Sequence, residues 1–328
     1  MIEKFKKEYK RFIKKQYNRL FGNYDTFPLP CYWNDEWKKY YIKNFESIEQ
    51  KLNSLKSNMD EKSKEIAELV YKRYVFINPW LEHNNNLLVD NNKLFTEEEL
   101  RDQSEDFYVD KKKFILPVDY EYALSVYKYD SGLCFLEPHT LKQIENKDII
   151  DGGAFIGDSA IVFNKYNPAK IFSFEPDKDN FRILQETVKL NNLEHIIIPV
   201  NKGLGDKEEE IILYGQGPGA STMNKSCSEF STIKVTTIDS FVKENNLSVG
   251  LIKLDIEGFE LETIQSSIQT IKEHKPLLLI SLYHQPKDFF EIKPLIESLN
   301  LNYNFMIRKI DPRHHTVETI LIGYAKNE

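Results

Sequence analysis

The densest group of chemically capable residues is Ile149-Ile150-Asp151-Gly152-Gly153-Ala154-Phe155-Ile156-Gly157-Asp158-Ser159. An apolar run ends in an acid, passes a glycine-rich turn and enters a helix start. Glycines let backbone come close to a ligand, and a helix start presents unpaired N–H groups. Phe172-Ser173-Phe174-Glu175-Pro176 then closes the next apolar run with a second acid. At that distance from a glycine turn a carboxylate can take both hydroxyls of a ribose. Pro176 bars the strand from continuing, and Asp177 can start the following helix. Either element alone also occurs in plain strand–turn–helix connections and helix caps. The two in register point to a nucleoside-bearing ligand.

The turn also discriminates between ligands. The nicotinamide fingerprint GxGxxG falls on Gly152, Ala154 and Gly157, so its middle glycine is absent. That glycine admits a pyrophosphate. S-adenosylmethionine has none; it carries a sulfonium and a zwitterionic tail, and an acid at Asp151 is expected to face the cationic amino group. A nicotinamide-dependent oxidoreductase on the same fold and a catalytically inactive interaction domain stay open as alternatives.

These residues need a scaffold. From Asp148 onward short apolar runs alternate with helical patterns. Strands are expected at 148–151, 171–175, 196–200, 251–255 and 277–283, with helices near 158–166, 178–191, 259–274 and 287–299. That alternation implies parallel strands with crossover helices, a doubly wound α/β sheet. Extra strands are expected at 211–214 and 233–237, and 303–310 is expected to pair with 319–325. Before this lies a lead-in over 106–147, read as a β-hairpin built on Ala123–Tyr127 and Leu133–Leu136 around Asp130-Ser131-Gly132. Residues 1–105 read as a helical extension. It has helices over 2–21, from about 35 to 55 and from about 60, and a capping box at Thr96 and Glu99.

With these motifs in view, the chain resembles the FkbM-type methyltransferases, from about 120 to 326. The resemblance rests on Asp151 to Gly157, on Phe174-Glu175-Pro176 with Asn180-Phe181, and on Asn201 to Asp206. It rests further on Val235-Thr236-Thr237-Ile238-Asp239-Ser240-Phe241 and, most distinctively, on Ile252-Lys253-Leu254-Asp255-Ile256-Glu257-Gly258-Phe259-Glu260. It implies a Rossmann-like class I methyltransferase sheet with a terminal antiparallel strand, over 148–328. It also implies S-adenosylmethionine as cofactor and a hydroxyl on a sugar or glycan-type molecule as acceptor. The chain departs from the family at Phe155, where a polar residue is more usual, and at Ser281, where an acid is frequent. The expected cofactor contacts are Asp151, Gly152, Gly153, Phe155, Gly157, Asp158, Ser159, Glu175, Pro176, Asn180, Asp206 and Asp255.

Methyl transfer is an in-line displacement that needs alignment, and an alcohol acceptor also needs its proton removed. Asp255, Glu257 and His284 are the catalytic candidates. His284 is the expected base, because a histidine stays unprotonated near neutral pH. Asp255 is read either as a base or as a residue that orients cofactor or acceptor. Glu260 is read as a helix N-terminus acid or a catalytic one, and Lys253 as the partner of a buried acid. An amine acceptor, needing less base assistance, stays open. Asp255, Glu257, His284, His314 and His315 show no tight ligand spacing, so no metal is expected.

Composition narrows the partners. A net charge of -7 does not favour wholesale nucleic-acid binding. The three cysteines, Cys31, Cys134 and Cys227, form no CxxC pair, which fits a reducing cytoplasm. The first residues lead into no apolar run, so neither a signal peptide nor a membrane span is expected. Residues 2–21 carry an aromatic stripe opposite a basic face. That pattern suits packing on the domain, self-association into a homo-oligomer or weak association with a membrane surface.

Overall fold

The computed structural model describes residues 31–77, 109–117, 123–214, 230–312 and 316–325. The expected helix over 2–21, the capping box at Thr96 and Glu99, and His314 and His315 lie outside them. The described strands, in chain order, are β1 (Asp148–Gly152), β2 (Ile171–Phe174), β3 (Ile197–Val200), β4 (Gly203–Leu204), β5 (Glu209–Tyr214) and β6 (Phe230–Thr236). They continue as β7 (Val249–Leu254), β8 (Leu277–Ser281), β9 (Tyr303–Lys309) and β10 (Thr319–Ala325).

Seven strands form one sheet in the order β3-β2-β1-β7-β8-β10-β9. The pairs from β3 through β8 are parallel, while β10 runs antiparallel to both β8 and β9. This is the expected doubly wound α/β arrangement with a terminal antiparallel strand. The reversal of order at β1 and β7 opens a crevice beyond their carboxyl ends. β1, β7 and β8 are buried along their whole lengths, as strands covered on both faces must be. The remaining strands make a small sheet, β4-β6-β5, whose Ile211, Leu213, Ile233 and Val235 pack together.

The helices cover both faces. On one side, helices Asp158–Phe163 and Lys178–Leu190 bury Ala160, Phe163, Leu184 and Val188 against Ile149, Ile171 and Leu251. On the other, helices Ile238–Asn245, Glu260–Gln265, Ile268–His274 and Pro286–Ser298 bury Ile238, Leu261, Ile271 and Phe289 against Ile150, Ile252 and Ile280. The expected single helix over 259–274 is broken at Ser266 and Ser267, whose hydroxyls bond back to the carbonyls of Thr263 and Ile264.

The N-terminal helices α1 (Cys31–Lys43), α2 (Ile48–Lys56) and α3 (Glu61–Ile77) join that second core through Trp37, Leu52, Leu55, Val70 and Tyr74. They therefore share one core with the seven-stranded sheet. Met59 bridges Phe305, and the Ser63 hydroxyl accepts from the Ile307 amide, so this segment also covers the open edge of β9. The expected helix over 35–55 divides where Asn44 turns its side-chain amide onto the Tyr40 carbonyl. Among the described residues, no helix is long and apolar enough to cross a membrane.

The β-hairpin lead-in is the clear structural correction. Ala123–Tyr127 contains a helical turn, Leu124–Tyr127; residues 130–135 form a 3-10 turn, and Pro138–Leu141 a further helical turn. The amides of Tyr127 and Lys128 bond four residues back, and Asp130, Ser131 and Gly132 all take positive φ. Gly132 is required there: at φ 110 a Cβ would stand 2.3 Å from the Ile320 side chain. Apolar runs of four or five residues do not distinguish strand from helical turn by period.

Lys293 is fully buried and ties α2 to the helix Pro286–Ser298. Its ammonium donates to the Ser57 carbonyl and hydroxyl (both 2.8 Å), the Ser54 carbonyl (3.3 Å) and Glu297 (2.7 Å). Lys293→Met keeps the stem and leaves those acceptors unmatched. It should lower unfolding free energy by about 1–3 kcal/mol, read as a lower urea midpoint with an unchanged m-value.

Candidate functional site

Asp151 on β1 and Lys253 on β7 are register partners, and both are buried. Their ionic groups stand 3.2 Å apart. Lys253 also donates to the carbonyls of Gly153 (2.7 Å) and Gly152 (3.1 Å), and Ser159 donates to the other Asp151 oxygen at 2.9 Å. Burial lowers the Lys253 pKa, but Asp151, Asp255 and Asp158 outweigh it and hold the ammonium charged. Asp151 is thus spent inside the protein. The expectation that it faces a ligand's amino group gives way to an internal pair with Lys253, as the reading of Lys253 anticipated.

The glycine turn works through its backbone. At Gly153 (φ 72) a Cβ would lie 1.8 Å from the Asp255 carbonyl oxygen, so glycine lets the tips of β1 and β7 touch. Gly152 is closed in by Leu204 and Leu254, and Gly157 (φ 88) by Leu184. Ala154 is fully buried, its amide bonded to the Phe174 carbonyl. No closer approach is available where a middle glycine would stand.

Above these tips lies a cavity of about 390 Å³. Of the expected cofactor residues, Gly153, Phe155, Asp158, Ser159, Glu175, Pro176, Asn180 and Asp255 line it. Asp151, Gly152 and Gly157 sit behind the lining as supports. Asp206 is exposed on the turn after β4 and is not part of the wall. Glu175 is aimed at the turn: its carboxylate accepts the amides of Phe155 and Asp177, both at 2.9 Å. Asp177 caps the next helix through the amides of Asp179 and Asn180, as its position predicted. The inner face of the small sheet, Ile211, Leu213, Ile233 and Val235, supplies an apolar wall beside Glu175.

The far end of the cavity holds Asp255, Glu257, Ser281, Tyr283 and Glu318, with Ser125 and Ser131 from the lead-in. Tyr283 donates to Asp255 at 2.8 Å. His284 is buried among three carboxylates. Nδ1 is 2.8 Å from Glu260, and Nε2 is 3.6 Å from Asp255 and 3.8 Å from Glu257. Burial alone would lower the His284 pKa, but the acids raise it to about 10. It is therefore an imidazolium at neutral pH. The expectation of a neutral histidine base is corrected: its position in the chain was read, but the charges converging on it were not. Glu260, buried at the start of its helix, accepts the amides of Ile256 and Gly258 and holds the loop that bears Glu257 at φ 57.

The sequence reading missed Ser125, Ser131, Tyr283 and Glu318 as site residues. Nothing marks them locally, since each arrives by tertiary packing. It also set metal binding aside, whereas one ligand atom from each of Asp255, Glu260 and His284 lies within 4.8 Å of the others. Those atoms are already engaged: Glu260 takes two backbone amides, and His284 bridges it to Asp255.

Cavity carboxyls hold protons that a solvated carboxyl would release. Burial pushes Glu175 and Glu257 up to about 7, Glu318 to about 8 and Asp158 to about 6. Asp255 is the exception: burial raises it, but His284 and Lys253 outweigh that and hold it below the usual range.

Comparison with known proteins gives a consistent picture. The methyltransferase FkbM domain matches residues 151–312. A solved structure of a methyltransferase FkbM from Methylobacillus flagellatus KT superposes over 88% of this chain, with a TM-score of 0.57 and 22% identity. The present chain spans 61% of that protein's length. "Methyltransferase 1" of Beauveria bassiana (strain ARSEF 2860) is 27% identical over 178 residues, which cover 46% of this chain and 70% of that one.

The carboxyls with raised pKa bind more protons in the folded state than in the unfolded one. Their contribution is complete below the ordinary carboxyl pKa and is lost as pH rises through about 6 to 8. His284 acts in the same direction, its share being lost only as pH rises through about 10. The melting temperature of the ligand-free protein should therefore fall between pH 5 and pH 8. A flat or rising profile would show that these groups ionise normally.

Proposed function

We propose that the chain, which carries a methyltransferase FkbM domain over residues 151–312, transfers a methyl group from S-adenosylmethionine to a hydroxyl of a sugar or glycan-type acceptor. The observation that carries this reading is the acid-lined cavity beyond β1 and β7, reached by Glu175 at one end and Asp255 at the other. Its lining acids, Asp158, Glu175, Asp255, Glu257 and Glu318, face one lysine whose charge is already matched by Asp151. Such a group of acids disfavours a pyrophosphate, and a cationic ligand brought among them would draw their protons off and be held by the carboxylates so formed.

Glu175 is the residue placed for the ribose, with Ile211, Leu213, Ile233 and Val235 as apolar cover for an adenine. When bound, S-adenosylmethionine supplies an electrophilic methyl carried on a sulfonium. Asp255, kept ionised and oriented by Tyr283, lies where it can align that charge or the incoming hydroxyl. Glu257, with a pKa of about 7, is matched to taking the acceptor proton near neutral pH. His284 holds both carboxylates in place as their counter-ion and is assigned no proton-accepting step.

An amine acceptor is the second reading. Glu318, a further carboxyl near Asp255, favours it, since an ammonium-bearing molecule would draw off its proton and be held by the two acids together.

S-adenosylhomocysteine should raise the melting temperature, and NAD should not. A shift with NAD alone would overturn the reading. Glu175→Gln should weaken adenosylhomocysteine binding by about tenfold, as the loss of a charge-assisted bond to ribose requires. Equal affinity by calorimetry would remove Glu175 from the ribose site.

Transfer of labelled methyl groups onto a panel of glycosides and amines identifies the acceptor class, and label confined to amines selects the second reading. With a hydroxyl acceptor so found, Glu257→Gln should lower kcat by about a hundredfold or more at saturating substrate. Wild-type turnover would move the proton-accepting role elsewhere.

A further inference from the structure

Tyr74 lies on α3, well before the matched domain, yet it is fully buried against the site. Its ring stacks on Trp37 at a centroid distance of 3.7 Å and an interplanar angle of 6°. Trp37 in turn meets Phe289 and Phe290 on the helix that follows His284. The ring is thus clamped, and its hydroxyl is delivered to one place: it donates to the Tyr283 backbone carbonyl at 2.7 Å. The Thr316 side chain lies beside the same hydroxyl.

Both neighbours bear on the far end of the cavity. Tyr283 carries the phenol that orients Asp255, and the next residue is His284. Thr316 leads to Glu318, a cavity residue whose carbonyl accepts from the Ile310 amide. The Leu282 amide donates to the Thr319 carbonyl at 2.9 Å, joining the two segments directly above Tyr74. Glu175 and Asp158, at the cofactor end, stand on β2 and the helix after β1, and neither touches this arrangement.

We propose that Tyr74 is a positioning residue for the acceptor half of the site, fixing the strand end that bears Tyr283 and His284. The assignment of an acceptor half rests on the methyltransferase reading; the mechanical role of Tyr74 does not. Without the hydroxyl, the carbonyl of Tyr283 loses the donor that Tyr74 supplies. The strand end then loosens, and His284 moves relative to Asp255 and Glu257. Separation from Asp255 and Glu257 weakens the carboxylate field that keeps the imidazole charged.

Tyr74→Phe keeps the ring and its stack on Trp37 and removes only the hydroxyl. Val70→Ala, a buried position in the same core, serves as a control that destabilises α3 without touching the strand end. Histidine NMR titrations of wild type and both variants read the His284 pKa. In Tyr74→Phe it should fall by about one unit or more, while Val70→Ala titrates like wild type. Calorimetry with adenosylhomocysteine should give affinities within about twofold for all three proteins. An unchanged His284 titration in Tyr74→Phe overturns the proposal, as does an equal shift in Val70→Ala, which would mark a general loss of packing. Failure of the wild type to bind adenosylhomocysteine would defeat the parent reading and leave the histidine comparison intact.

Discussion

The site depends on one buried ion pair. Asp151 and Lys253 face each other across β1 and β7, and the lysine also gathers the carbonyls of Gly152 and Gly153. A buried charge without its partner costs about 3–5 kcal/mol, so each residue makes the other necessary. The pair does more than stabilise. It pins two strand ends at the place where the sheet order reverses, and Gly153 lets them come into contact. Asp255 follows Lys253 by two residues, and Phe155 follows Gly153 by two. The positions of the acid at the far end and of the amide that holds Glu175 both descend from this contact.

Charge is then distributed outward in alternation. Asp151 is answered by Lys253, and Glu260, Asp255 and Glu257 by His284. The acids left over line the cavity. For the remaining acids on the wall, Asp158, Glu175 and Glu318, burial is the largest influence and raises their pKa. This pattern belongs to the constellation, since no one of these carboxylates is unusual alone.

The doubly wound sheet was legible because β1, β2, β7 and β8 are short, mostly apolar runs separated by helical patterns, as strands covered on both faces tend to be. Glu175 and Asp255 were legible for the same reason: each ends such a run at a strand tip. The protonation of His284 was not, because it depends on Glu260 and Glu257 folding back over a turn. The lead-in was misread because its apolar residues serve short helical turns, and Gly132 sits where a Cβ would meet the Ile320 side chain, nearly two hundred residues away in sequence. Tyr74 carried no signal at all, since its partner is a backbone carbonyl, which has no sequence identity.

The placement of β10 between β8 and β9 has a consequence for the order of assembly. When β8 and β9 have both been synthesised they cannot yet pair, because the strand that separates them comes later. The outer edge of β8 must wait for residues 319–325, and β9 has no place in the sheet until then. Helices α1 to α3, made first, meet the same delay, since Met59 and Ser63 dock on β9. The earliest and latest segments of the described chain are thus joined through β9, and the end of the cavity that bears Glu318 is complete only once β10 stands in the sheet.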